Sequence, residues 1–366
     1  MPSPTIPPLI QLNKISTSSK GILYGISGLV SYEGGTPDAR ELVQSNRSIL
    51  GILQYGVVPS RKEIGLQPCP HIFMPQIGSD YIVEIWSSPG SVHYDQKGMI
   101  RAASDGNVLF GSYEEAVTEG EPLELVSERS YKEILAYCHQ AGYDHLFRLW
   151  NYFPRINEEQ GGLERYKRFC VGRYQAFSSQ YQNLQQVVPS ASAVGTNSGS
   201  FLVIFLAGKI PGRHIENPSQ MSAYHYPRVY GPKSPSFSRA TIGQISPEES
   251  SLFVAGTASI LGHQTQHVND PENQTKETLA NIQRVINQAV SVAGVRRKRR
   301  DFSGLLKVYV RHEAHVSLVQ KSIGKSWAAD MPTIFLLGEL CRKELLVEIE
   351  GVWAFPPNPA VGSNLE

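Results

Sequence analysis

The feature that most constrains this chain is an element order that occurs twice. In the second half, "SLFVAGTASILG" reads as a strand in which Gly256 and its small neighbours allow a close backbone approach. A helix follows: Asp270 is placed to cap it, Pro271 takes the first helical position, and Leu279, Ile282, Val285, Ile286 and Ala289 recur at three-to-four spacing. "LLKVYVRH" then reads as a strand, "EAHVSLVQKSIGKSW" as a helix, "PTIFLLGEL" as a strand and "ELLVEIEGVWAF" as the last strand. The first half gives a similar order through "NVLFGSY", "SYKEILAYCHQAG", "DHLFRLWNYF", "GGLERYKRFCVGRYQAF", "PSASAVGTN" and "SFLVIFLAGK". Pro189 and Pro332 open the two penultimate strands, which is the register expected of a degenerate internal repeat. The pattern predicts an α+β protein of two sandwiches, residues 1–210 and 211–366. Each is a mostly antiparallel sheet with helices on one face, and a cleft lies where the copies meet.

The last strand holds an anomaly. Strand alternation predicts Leu345, Val347 and Ile349 on one face, in the core, with Leu346, Glu348, Glu350 and Val352 on the other. In the first copy Ile204 or Phe205 takes the place of Glu348. A carboxylate near the seam between copies would be desolvated, which raises its pKa and lets it hold a proton for donation. The alternative is that both glutamates face solvent on a half-exposed strand.

Two segments supply polar groups on stiff frames. "HLFRLWNYFPRIN" sets Arg148 and Arg155 among Trp150, Asn151, Tyr152 and Phe153; "YHYPRVYGPKSPSFSRA" sets Arg228 and Arg239 among Tyr224, Tyr226 and Tyr230. Guanidinium groups grip carboxylates bidentately and tyrosines add neutral donors, a combination suited to a small cyclic dicarboxylate. Loop-pinning through backbone carbonyls is the alternative for any one of these arginines.

Composition and charge narrow the classes. With 34 Lys and Arg against 33 Asp and Glu, there is no general attraction to nucleic acid or membrane. The run Arg296, Arg297, Lys298, Arg299, Arg300 lacks interleaved aromatics and reads as a solvated loop. No apolar run approaches a membrane span, and the prolines of the opening "MPSPTIPPLIQLNK" interrupt any signal-peptide core, so a cytoplasmic protein is expected. Cys69, Cys138, Cys170 and Cys341 form no CxxC pair and read as reduced thiols. His263 and His267 are four apart, but Gln264 stands where a zinc protease carries Glu, and no metal site is expected. The chain contains no phosphate-binding Gly loop, dinucleotide fingerprint or GxSxG elbow.

The stretch "LFVAGTASILGHQTQHVNDPENQTKETLANIQRVINQA", followed by "LLVEIEG", resembles the RidA/YjgF family, whose Glu lies in the same final strand. Imine-hydrolysing members carry an Arg after the Pro of the penultimate strand; here Pro332 and Thr333 are followed by Ile334, and that anchor is missing. The longer set "FRLWNYFPRIN", "LERYKRFCVGRYQAF", "PSASAVGT", "IENPSQMSAYHYPRVYGPKSPSFSRA", "FVAGTASILGH" and "CRKELLVEIEG" resembles the chorismatases, two-domain RidA-like enzymes that release pyruvate from chorismate.

The resemblance implies cofactor-free chemistry in which Glu348 protonates the enolpyruvyl methylene of chorismate. Glu350 is the substitute acid, and Arg148, Arg155, Tyr152, Tyr224, Tyr226, Arg228 and Arg239 stand near the substrate beside Ala255, Gly256 and Thr257. Cys341 looks like the cysteine of the hydroxybenzoate-forming branch, whereas Ala255 adds bulk where that branch is expected to carry Gly. The product expected is 3-hydroxybenzoate, with 4-hydroxybenzoate or a dihydroxycyclohexadiene carboxylate as alternatives. A duplicated chain supplies its own second surface, so a monomer is expected. The reading from another class is a RidA-like module that binds a small carboxylate without transforming it.

Overall fold

The computed structural model describes residues 23–26, 29–34, 48–56, 65–77, 82–295 and 303–355. The basic run at 296–300 lies outside them. The first lobe is built from β6 (His93–Lys97), β7 (Ile100–Ser104), β8 (Val108–Glu115), α1 (Leu123–Gln140), β9 (His145–Pro154), α2 (Arg165–Gln180), β10 (Ser190–Thr196) and β11 (Phe201–Gly208). The second is built from β12 (Arg213–Ile215), β13 (Ala240–Gln244), β14 (Ser250–Ala258), α3 (Pro271–Val292), β15 (Gly304–Val310), α4 (Val316–Gly324), β16 (Thr333–Leu337) and β17 (Val347–Phe355).

Each lobe has a six-stranded sheet, and the strand orders are the same: β10-β9-β11-β8-β7-β6 in the first and β16-β15-β17-β14-β13-β12 in the second. In each, the edge strand that follows the second helix pairs in parallel with its neighbour, and the last strand runs antiparallel between two others. That correspondence is what a duplicated unit predicts. Helix α3 starts as its sequence dictates, with Asp270 accepting from the Asn273 N–H at 3.0 Å and the predicted aliphatic stripe buried.

Ahead of both lobes, in a stretch outside the repeated order, the described residues form a third sheet. Its strands are β1 (Leu23–Ile26), β2 (Val30–Gly34), β3 (Ile49–Tyr55), β4 (His71–Ile72) and β5 (Ile82–Ser87), in the order β1-β2-β5-β3-β4. The helices of each lobe cover the outer face of its own sheet, giving two separate cores. The inner faces of both sheets and the third sheet share one central core. In it Trp86 of β5 lies 5.3 Å from Trp150 of β9, 5.4 Å from Phe110 of β8 and 6.5 Å from Phe253 of β14, ring centre to ring centre. Backbone bridges also join the lobes: the Gly195 N–H donates to the Glu339 carbonyl at 2.7 Å, and the Glu339 N–H donates back at 3.1 Å.

Candidate active site

In β17 Val347 and Ile349 enter the helix-side core, and Glu348 and Glu350 point to the inner face. Neither glutamate faces solvent; their exposures are 4% and 3%. Leu345 and Leu346 depart from the expected alternation, with Leu345 in the central core and Leu346 under the helices, because the strand begins only at Val347. Ile204 of the first lobe shares the inner face, while Phe205 lies on the helix side.

The two carboxyls meet opposite fates. Glu350 accepts from Arg148 Nη2 at 2.8 Å, Trp150 Nε1 at 2.8 Å and Ser192 Oγ at 2.5 Å, and Lys307 Nζ lies 3.2 Å away. Burial alone would push its pKa up, but Lys307 and Arg148 outweigh that and hold it below the usual carboxylate range. No cation among the described residues forms an ion pair with Glu348. Burial first, and then the charge of Glu350, push its carboxyl up to about 8; Arg148 and Arg311 oppose this only in part. Burial and the neighbouring Glu350 charge thus favour the protonated form of Glu348 at neutral pH.

The backbone is shaped around this acid. Pairing between β14 and β17 slips between Val254 and Thr257, and the irregularity places Gly256 against Glu348. A Cβ at position 256 would lie 2.0 Å from Glu348 Oε1, so any side chain there would have to displace the Glu348 carboxyl. The Gly256 N–H donates to Ser192 Oγ at 2.8 Å, which fixes this approach to β10 of the first lobe.

Glu348 opens on a cavity between the lobes. Its inner recess is lined by Tyr166, Phe169, Cys170 and Arg173 of α2, Ser192 of β10, and Gly256, Cys341 and Glu348 of the second lobe. The outer part, about 260 Å³, is lined by Tyr226, Tyr230, Phe237, Arg239, Arg342 and Glu348 among others. Residues 166, 169, 170 and 173 share one face of α2 by helical spacing. Arg173 is buried, stacks over Tyr131 and Phe177, and leaves Nε and Nη2 without hydrogen-bond partners. Arg239 is also buried, with Nη2 donating to Tyr226 Oη and to the Met221 carbonyl, both at 2.9 Å, while Nε is unpartnered. Arg342 lies 4.1 Å over the Tyr230 ring and donates to the His263 carbonyl at the mouth. Burial pushes the Cys341 thiol up to about 12, with Glu348 adding to the effect.

Of the residues singled out in sequence, Glu348, Cys341, Gly256, Tyr226, Tyr230 and Arg239 line the cavity. The others lie elsewhere. Arg148 is 1% exposed; its Nη2 donates to Glu350 and Ser192, while its Nη1 has no partner and the residue does not line this cavity. Arg155 stands in a turn at positive φ beside Glu158, more than half exposed. Arg228 is exposed in a short 3-10 turn, and Tyr224 packs on the helix-side core of the first lobe. Tyr152 shares a 2.9 Å hydrogen bond with Tyr309 in the central core. Ala255 is fully buried off the cavity, and the Thr257 hydroxyl is spent on the Ala255 carbonyl. Sequence spacing did not mark Arg173, although its helical register with Tyr166 and Phe169 was there to be read.

Known proteins share this architecture. Residues 84–207 match the family model described as chorismatase FkbO/Hyg5-like, N-terminal. A 3-hydroxybenzoate synthase from Streptomyces hygroscopicus is 33% identical over 344 residues, 89% of this chain and 97% of that protein. A chorismatase from the same organism is 32% identical over 331 residues, 87% of this chain and 92% of its own. The crystal structure of a chorismatase aligns with a TM-score of 0.80 at 30% identity, covering 90% of this chain and 99% of that one. This length and level of identity, together with the likeness in fold, show that the chain belongs to the chorismatase family.

Proposed function

We propose that this protein cleaves the enolpyruvyl ether of chorismate to pyruvate and 3-hydroxybenzoate, with Glu348 as the general acid. The observation that carries the reading is a buried carboxyl held protonated at the wall of a cavity lined by unpartnered guanidinium nitrogens.

The proton of Glu348 passes to the terminal methylene carbon, whose π electrons form the new C–H bond and leave an oxocarbenium ion on the ether carbon. The resulting Glu348 carboxylate then faces that cation in a desolvated site, where opposite charges attract strongly. The C4 hydroxyl attacks the cationic carbon and returns its proton to the Glu348 carboxylate. The bond from the ether oxygen to that carbon breaks, with Glu348 reprotonating the oxygen left on C3. The C4–O bond then breaks, pyruvate leaves with that oxygen, and loss of the C3 hydrogen as a proton to Glu348 aromatises the ring. No water is consumed overall. If water attacks instead, one water is consumed and a dihydroxycyclohexadiene carboxylate leaves.

Arg173 and Arg239 are the proposed carboxylate anchors, because each has a buried N–H with no protein partner, an arrangement that costs stability unless a ligand satisfies it. Tyr226 orients Arg239. Cys341 on the cavity wall favours the hydroxybenzoate branch, and Ala255 adds no bulk to the cavity from its place off the lining.

Incubation with chorismate, with pyruvate measured enzymatically and the ring product identified by mass and ultraviolet spectrum, tests both levels. Pyruvate and 3-hydroxybenzoate in equal amounts are expected. A dihydroxycyclohexadiene carboxylate as main product would overturn the branch. Chorismate binding without pyruvate release would instead favour the carboxylate-binding module. Because the acid must be protonated to act, kcat/KM should hold below about pH 8 and fall roughly tenfold per unit above it.

A further inference from the structure

Glu348 does not sit alone with its neighbour. Glu350, two residues along the same face, is one of four charges buried in a row. Arg148 of β9 lies 2.8 Å from it and Lys307 of β15 3.2 Å; Lys307 also lies 2.8 Å from Glu84 of β5, in the third sheet. Glu84 is fixed by Tyr55 Oη at 2.7 Å and Trp86 Nε1 at 2.9 Å. The row contains two cations and two anions and is neutral as a whole. Remove the charge of Glu84, and Glu350 is left with two cations for one carboxylate.

We propose that Glu84, which does not line the cavity, is a positioning residue for the reaction: by engaging Lys307 it keeps Glu350 from being over-neutralised and so keeps the proton on Glu348. The proposal rests on Glu348 being the acid. Burial works against the charge on Lys307, but Glu84 and then Tyr152 and Glu350 outweigh it, so the lysine stays cationic and its pairing matters.

The other groups that face Glu348 are fixed from elsewhere. Tyr309 lies opposite it on β15, and Arg148 acts from β9. Arg311 is anchored to the carbonyls of Leu340, Arg342 and Leu345. Cys341 lies before the strand, and Cys170 and Arg173 face the recess from α2. Glu84 hydrogen-bonds and ion-pairs instead with Tyr55, Trp86 and Lys307. Tyr32 and Tyr55 surround the Glu84 end of the row as neutral phenols, their pKa values raised by burial and then by Glu84.

The test is kcat/KM against pH for the full chain with chorismate, comparing wild type with Glu84→Gln, Glu84→Asp and the double variant Glu84→Gln with Lys307→Gln. Glu84→Gln should move the alkaline limb to lower pH by roughly half a unit or more. Glu84→Asp keeps the charge and should restore the wild-type limb. The double variant removes one charge of each sign, and its limb should return to the wild-type position or above. A Glu84→Gln protein that is slower at every pH with an unmoved limb would reduce the residue to a structural part. Where the single variant does not fold, the double variant decides, since it leaves no unpaired charge: a limb shifted downward overturns the proposal. Glu348→Gln separates the two readings, because persistent turnover there removes the acid whatever the row does.

Discussion

The two lobes share a strand order and differ in what their last strands present to the centre. In the first, Leu202, Ile204 and Leu206 of β11 point inward and simply fill the central core. In the second, Glu348 and Glu350 take that face, with Val352 beyond them. Burying two carboxyls costs far more than burying aliphatics, and the second lobe meets the cost unequally. One carboxyl receives two cations and an indole N–H. The other receives none and stays protonated. The first lobe in turn gives up Arg148, Trp150 and Ser192 to hold Glu350, and presents Arg173 to the cavity. One copy thus carries the proposed acid and the other keeps its neighbour charged.

Substitutions can break this asymmetry. Glu348→Gln is close in shape to the protonated acid but has no proton to give. Turnover should fall by about 10² to 10⁴-fold while the melting temperature stays near wild type; turnover within tenfold of wild type would move the acid elsewhere. Glu350→Gln leaves Arg148 and Lys307 facing a neutral group and should cost about 3–5 kcal/mol in a denaturant titration. Unchanged stability would mean that the row is not a coupled unit. Gly256→Ala forces Glu348 out of place, and about a hundredfold loss in kcat is expected, since a displacement of that order disrupts the reacting geometry. Smallest is Arg173→Met, which removes a proposed carboxylate anchor. It should raise KM by about tenfold to a hundredfold, the loss of one charge-assisted contact; an unchanged KM would reassign the anchor to Arg239 and its neighbours.

Much of the fold was legible because its signals are local. The stripe of α3, its Asp270 cap and the paired prolines follow from spacing alone. So does the oddity of "LLVEIEG". Side-chain partners across sheets are not local, and there the spacing misleads. Arg148 and Arg155 sit seven residues apart in one segment, yet Arg148 is buried in an ion pair while Arg155 is in a turn exposed to solvent. The third sheet is faint in the sequence because its strands are short and separated by Pro-, Gly- and Ser-rich stretches. One sign of it was present: "YIVEIWS" sets Glu84 within an apolar run just as "LLVEIEG" sets Glu348 and Glu350. Two such runs in one chain are a hint that buried carboxylates have partners in each other's neighbourhood.

The Glu84–Lys307 contact joins positions more than two hundred residues apart in the sequence, and the Arg148–Glu350 contact does the same. A fragment beginning at His93 would keep every residue that walls the cavity and still lose one end of the charge row. Catalytic competence on this reading belongs to the fully assembled trio of sheets, and a nascent chain acquires it only when its opening segment and its closing strand have come together.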